Sequence, residues 1–419
     1  MQNIKIHIPY GNGSLALALP KDRILGILQN KIQAPKNIKK LLLKAMRNKK
    51  IPFRKKKVLI VVPDATRSAH LKEILPLLIE KITVPSRSVD IMVANGLHKH
   101  HTAQQLQKLL GLYIARRHRI FQHDPYSKAV VDFGKTKYDV PATLDKAVLN
   151  YDSIISVGVV EPHLYAGYSG GAKTISIGLA GEPTVNATHS IRFLDDPGVN
   201  IGSLNGNKFQ ETLWHILENI PPVFSVNIVN DQDGKALKIF CGPVKDVFEK
   251  SSCFAKEVFE VRVNKKADIA VCGIGYPKDV NLYQASRAMN YVLSVDKPVV
   301  KKGGIVIIAA ELKDGVGHSP AENRFYDELK HMESPAGFVS RVKREGCIAG
   351  EHRAYMVAKA LIDYNVIFVT SLKKDFMEDL PFRFYSSVEE ALEKAFDMAG
   401  GNPKIFVIPR SLATIPRQV

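Results

Sequence analysis

Six side chains capable of chemistry follow apolar or small-residue stretches: Asp64 and Arg67 in PDATR, His98 in NGLHKHHT, His163 and Lys173 in EPHLYAGYSGGAK, and His189 sixteen residues further on. Imidazoles act as acids, bases or metal ligands near neutral pH. Lys173 has three open roles: an inconsequential helix-start lysine, a phosphate-binding charge, or an amine that carries a cofactor covalently. Gly167, Gly170 and Gly171 precede it, and a loop so poor in side chains lets backbone approach a ligand and offers amide N–H groups to an anion. Ala172, however, stands where a P-loop requires glycine directly before its lysine. That argues against a nucleoside triphosphatase. No GxGxxG follows a strand-like run with an acidic residue about twenty positions later, so a nicotinamide dehydrogenase is not signalled either. HExxH is also absent, and any metal would be held by few protein ligands or through a cofactor. His100 and His101 sit at a helix start and read as surface residues. Further on, Gln284 and Arg287 are three apart and share a helix face; Arg67 and Arg287 offer planar forks to a carboxylate.

These residues need elements to hold them. Lys57 to Pro63, Val89 to Ala94 and Tyr151 to Val160 are short apolar runs of the kind that form strands buried on both faces. Leu71 to Lys81 reads as a helix, and Thr102 as the N-cap of another that ends at Leu110. Three strand ends that each deliver polar groups point to an open parallel sheet with a ligand site at its carboxyl ends. Residues 1 to 20 read as a β-hairpin turning at Gly11, Asn12 and Gly13, and a second α/β segment starts near Ile269. The expected fold is α/β: two lobes with mostly parallel sheets and an active-site cleft between them. Residues 1–263 form the cofactor-binding lobe and 264–419 the lobe contributing substrate-binding residues.

With 419 residues, 45% of them hydrophobic, the chain can furnish full cores. No apolar run reaches the roughly 18 residues of a membrane span, and polar residues stand where a signal peptide would be apolar. We expect a cytoplasmic protein. Four scattered cysteines without a CxxC pair read as buried thiols in a reducing compartment rather than as a disulfide framework. The net charge of +18 is concentrated from Lys36 to Lys57. Leucines interleave its lysines as in a solvated amphipathic helix, and no aromatic platform accompanies them, so a basic nucleic-acid-binding protein is only the alternative reading.

Taken together, PDATR at 63 to 67, NGLHKHHT at 95 to 102, EPHLYAGYSGGAK at 161 to 173, His189, and YPKDVNLYQASRA at 276 to 288 resemble the nickel-pincer lactate racemase family, in order and over most of the chain. The resemblance implies a cofactor of nickel with a pyridinium-3-thioamide-5-thiocarboxylic acid mononucleotide, joined to the protein at Lys173 and made by dedicated synthesis enzymes. It implies His189 as the nickel ligand and His98 and His163 as the acid/base pair. Asp64 and Arg67 match the family's DxTR motif, which would place them at the cofactor. Gln284 and Arg287 match its substrate-holding Gln and Lys, with Arg67 also on the substrate, and Gly170 and Gly171 would lie beside the mononucleotide phosphate. The implied reaction is racemisation or epimerisation of a small 2-hydroxy acid by proton-coupled hydride transfer through a 2-keto acid. Two positions depart from the pattern: arginine replaces the usual lysine at 287, and Ala172 replaces an arginine often found before the cofactor lysine. Lactate is therefore the default substrate among several 2-hydroxy acids, or a changed or lost reaction is the alternative.

Overall fold

The computed structural model describes residues 2–30, 32, 34–35, 37–47, 57–82, 88–372 and 376–419. Only part of the basic Lys36 to Lys57 run falls within them. There, Ile38–Met46 is a helix capped by the Asn37 side chain, with Leu42 and Met46 turned into the core. This is the amphipathic arrangement its spacing predicts.

The chain forms two compact units, and it crosses between them more than once. One unit comprises residues 32–188 and 202–258; the other comprises 1–31, 189–201 and 259–419. The division differs from a single cut at 263/264. Ile24–Ile27 pairs in parallel with Ile405–Ile408, and Ile6, Ile8, Leu17 and Leu19 of the N-terminal hairpin join the same core as Ile269, Ile307 and Leu392. The first thirty-one residues therefore belong with the last part of the chain.

In the 32–258 unit, six strands lie in the order Ala236–Pro243, Val223–Asn230, Ser153–Val159, Val58–Pro63, Val89–Ala94 and Ile120–Gln122. All neighbours are parallel except the first pair. Every residue of Val58–Pro63 and of Ser153–Val159 is buried, because helices such as Leu71–Lys81 cover the sheet. The other unit has an all-parallel sheet of six, ordered Arg383–Tyr385, Asn365–Val369, Val300–Ala309, Ala267–Gly273, Ile405–Ile408 and Ile24–Ile27. The N-terminal hairpin, Asn3–Tyr10 paired with Gly13–Pro20, packs against it.

The cysteines are free, and Cys241 and Cys272 are buried as expected, but Cys253 is exposed and Cys347 half-buried. Burial pushes the Cys272 thiol up to about 12 and the Cys347 thiol up to about 11, which removes both as thiolates near neutral pH. No helix among the described residues is long and apolar enough to cross a membrane.

Candidate active site

Three adjacent strands, Ser153–Val159, Val58–Pro63 and Val89–Ala94, deliver the candidate side chains at their carboxyl ends. From the middle strand Asp64 and Arg67 reach to either side. Asp64 Oδ2 lies 2.6 Å from His98 Nδ1 at the end of Val89–Ala94, and Arg67 Nη1 donates to Glu161 Oε1 at 2.7 Å at the end of Ser153–Val159. Glu161 is the site residue that residue-type reasoning passes over. Its signal was its place at a strand end, directly before Pro162 and His163.

Asp64 is 5% exposed, and its second oxygen accepts the Thr66 N–H at 3.0 Å and the Thr66 hydroxyl at 2.5 Å. Burial alone would raise its pKa. The His98 hydrogen bond and charge, with the Thr66 donors, outweigh burial and hold the carboxyl at about 2. Its proton is therefore off, and His98 Nδ1 must be the donor in their contact, which leaves the lone pair of the neutral ring at Nε2. The His98 side chain is 64% exposed, so this second nitrogen is accessible.

A depressed pKa contributes stability that is fully present above the unfolded value near 3.8 and is lost as pH falls through the folded value near 2. After discounting for the exposed partner, the window is worth about 1–2 kcal/mol. Wild type should thus be more stable than Asp64→Asn at pH 6, with the gap closing between about pH 4 and 2. Urea midpoints of both proteins across that range check this; parallel curves would contradict it.

His163 is held differently. Pro162–His163 pairs antiparallel with Gly167–Tyr168, and His163 Nδ1 accepts the N–H of Tyr165 at 3.3 Å and of Ala166 at 3.1 Å. Two donors on Nδ1 place the proton of the neutral ring on Nε2. Opposite His163 stands Gly167, with φ +71°, where an added Cβ would overlap the Ser203 carbonyl oxygen. Only glycine fits both constraints. Gly167→Ala should cost about 2 kcal/mol or more, lowering Tm by roughly 4 °C or more, and calorimetry of the purified variant reads it directly.

The loop before Lys173 serves packing more than its composition suggests. Gly170 and Gly171 have φ of +83° and +53°, and added Cβ atoms would come within 2.7 Å of Val160 and 2.6 Å of Phe248. Gly171 N–H is directed at Asn227 Oδ1 at 3.4 Å. In the direction a side chain would take, these glycines meet protein atoms. Lys173 opens the short helix Lys173–Ser176, and Gly178 just beyond it accepts the Gly96 N–H at 3.0 Å. The lysine's helix is thereby tied to the loop that carries His98.

His101 is a correction: it is half-buried rather than a surface residue. Its Nε2 accepts the Ala65 N–H at 3.3 Å and its own N–H donates to Gln122 at 2.7 Å, so it braces the Asp64 loop. His100 is exposed, as expected, with Nε2 near the His123 carbonyl at 3.0 Å.

The remaining candidates lie in the other unit. Gln284 and Arg287 do share a face: Arg287 Nη1 donates to Gln284 Oε1 at 3.1 Å and Nη2 to the Tyr291 hydroxyl at 3.3 Å. Buried Asp279, which takes the Gly11 N–H at 2.6 Å, fixes the loop before them, and Asn281 caps the helix turn that bears Gln284. His189 follows directly on the Glu182–Thr188 helix and begins the unit's 189–201 segment. Its ring meets that of His352 at 5.5 Å between centroids, edge to face. Burial, the neighbouring His189 and Arg353 hold the His352 pKa well below the usual imidazole value, so that ring is neutral. Nothing in its spacing had marked His352.

Two family models match the chain: the lactate racemase N-terminal domain over residues 10–202 and the lactate racemase C-terminal domain over residues 263–415. A curated lactate racemase from Thermoanaerobacterium thermosaccharolyticum is 28% identical over 99% of both chains, and one from Lactiplantibacillus plantarum is 27% identical over 98% of this chain and 99% of its own length. The solved lactate racemase apoprotein from the first organism superposes with a TM-score of 0.88, covering 99% of this chain and 100% of that one. A Thermotoga maritima protein, 18% identical with a TM-score of 0.69, shares the fold. The chain belongs to the lactate racemase family, and it is an isomerase of the racemase kind.

Proposed function

We propose that this protein racemises or epimerises a small 2-hydroxy acid, lactate or a close relative, with a nickel pincer cofactor attached at Lys173. The observation that carries the reading is the opposite bonding of two histidine Nδ1 atoms, one against a carboxylate and one accepting two amides. With Nδ1–H committed to Asp64, the neutral His98 ring has its lone pair at Nε2; with Nδ1 accepting two amides, the neutral His163 ring has its proton at Nε2. Inversion of a carbinol centre needs a base for the hydroxyl of one enantiomer and an acid for the alkoxide of the other, and two imidazoles held in opposite tautomers suit that division.

His98 takes the hydroxyl proton at Nε2, and Asp64 stabilises the imidazolium that results. His163 passes its Nε2 proton to the alkoxide formed on the other side, a proton from solvent restores the neutral ring, and the same path run backwards serves the other enantiomer. When bound, the cofactor supplies the acceptor that takes and returns the α-hydrogen as hydride, with a planar 2-keto acid between. Arg287, whose partners Gln284 and Tyr291 are neutral, is assigned the substrate carboxylate together with Gln284 and Arg67. The donor set suits such a group: His189 is a single imidazole, and among the described residues no three ligating side chains form a metal cage. The other donors are then those of the organic ligand.

Protein co-expressed with cofactor-synthesis enzymes and offered a panel of D- and L-2-hydroxy acids should lose optical rotation with at least one of them. Stable rotation with every member of the panel, by protein carrying the full cofactor, refutes the reading.

A further inference from the structure

The segment 189–201 and the helix Glu351–Asp363 lie in the same unit, and one stripe of that helix grips the segment at both ends. At the near end the His352 ring meets His189 at 5.5 Å with the planes at 64°. Six residues on, Asp195 accepts the Tyr355 hydroxyl at 2.7 Å and Lys359 Nζ at 2.7 Å, with Lys343 Nζ at 3.4 Å. Positions 352, 355 and 359 recur at i, i+3 and i+7, which is one face of a helix. Between the two grips the turn Ile191–Leu194 buries Phe193 and Leu194, so the segment has little freedom to slide. His352 is itself fixed, 8% exposed, with Nδ1 accepting the Gly350 N–H at 3.3 Å.

We propose that His352, Tyr355 and Lys359 are positioning residues for His189: the stripe sets the place and plane of its imidazole and so the residence of the metal. The proposal rests on the reading of His189 as the metal ligand. An imidazole that binds a metal through one nitrogen can turn about that bond, and contacts behind such a ligand commonly govern metal affinity by 10–100-fold. The ring contact orients the plane. The Asp195 anchor keeps the segment from carrying the ring away.

The test uses holoprotein from cells that also make the cofactor, and it reads nickel release into excess chelator together with the mass of the Lys173 adduct. His352→Ala and Lys359→Met should release nickel faster by on the order of tenfold, with the adduct mass unchanged and the protein still folded at the assay temperature. His352→Phe, which retains an aromatic edge, should lie nearer wild type. Wild-type release from folded His352→Ala overturns the proposal; if that variant does not fold, wild-type release from Lys359→Met does so. His189→Ala separates the two claims. Nickel kept in that variant sinks the ligand assignment itself, whereas nickel lost there but held normally in the others sinks only the positioning role.

Discussion

Lys173→Arg should leave the protein folded, unmodified and without racemase activity. Arginine keeps the charge at the start of the same short helix, but a guanidinium that stays protonated is a poor partner for covalent attachment. Intact mass should show the added cofactor on wild type and none on the variant. Turnover should fall by a factor on the order of 10³ or more, because in the proposed mechanism the cofactor would supply the hydride acceptor and the side chains only proton transfer and orientation. The substitution also decides among the three roles open to a lysine here. A phosphate-binding charge would tolerate arginine well, and an inconsequential helix-start lysine would tolerate it completely.

The second large effect falls on the histidine pair. His98→Ala and His163→Ala should each lower racemisation by about 10²–10⁴-fold, the range for loss of a positioned acid or base, while the adduct mass on Lys173 stays at the wild-type value. The two should fail in both directions of the reaction, since the proposed mechanism makes each histidine the base for one enantiomer and the acid for the other. Near wild-type turnover in both variants would remove them as the proton-transfer pair. Asp64→Asn offers a graded companion: the amide can present its N–H₂ to Nδ1 and favour the wrong tautomer of His98, so activity drops although the ring remains.

How far the sequence could be read depended on whether the deciding interaction was local. Buried strands announce themselves as apolar runs, and Val58–Pro63 and Val89–Ala94 appear where VLIVVP and VDIMVA stand. Thr102 caps its helix through a reciprocal box with Gln105, a pattern contained in four residues. The neighbourhood of Gln284 and Arg287 was legible for the same reason. Pairings across long stretches of chain were not. Ile24–Ile27 carries no mark that it will lie beside Ile405–Ile408, and the assignment of residues 1–31 to the later unit turns on that pairing. The link from Arg67 to Glu161 spans 94 positions, and the meeting of His189 with His352 spans more still; neither leaves a trace in local spacing. The glycines before Lys173 show that one composition can have two causes. Composition suggested open backbone awaiting a ligand, whereas Val160, Phe248 and Ser203 crowd those positions, and tight packing asks for glycine as strongly as ligand approach does.

The central claim is that inversion proceeds by transfer of the α-hydrogen to the cofactor and back, with His98 and His163 moving only the hydroxyl proton. It is tested most directly by following an α-deuterated 2-hydroxy acid that the holoenzyme inverts, in ordinary water, by NMR and chiral chromatography. Deuterium retained at the α-carbon of both enantiomers as they equilibrate is the result this mechanism predicts; exchange of the label for solvent hydrogen in step with inversion would show proton abstraction at carbon and contradict it.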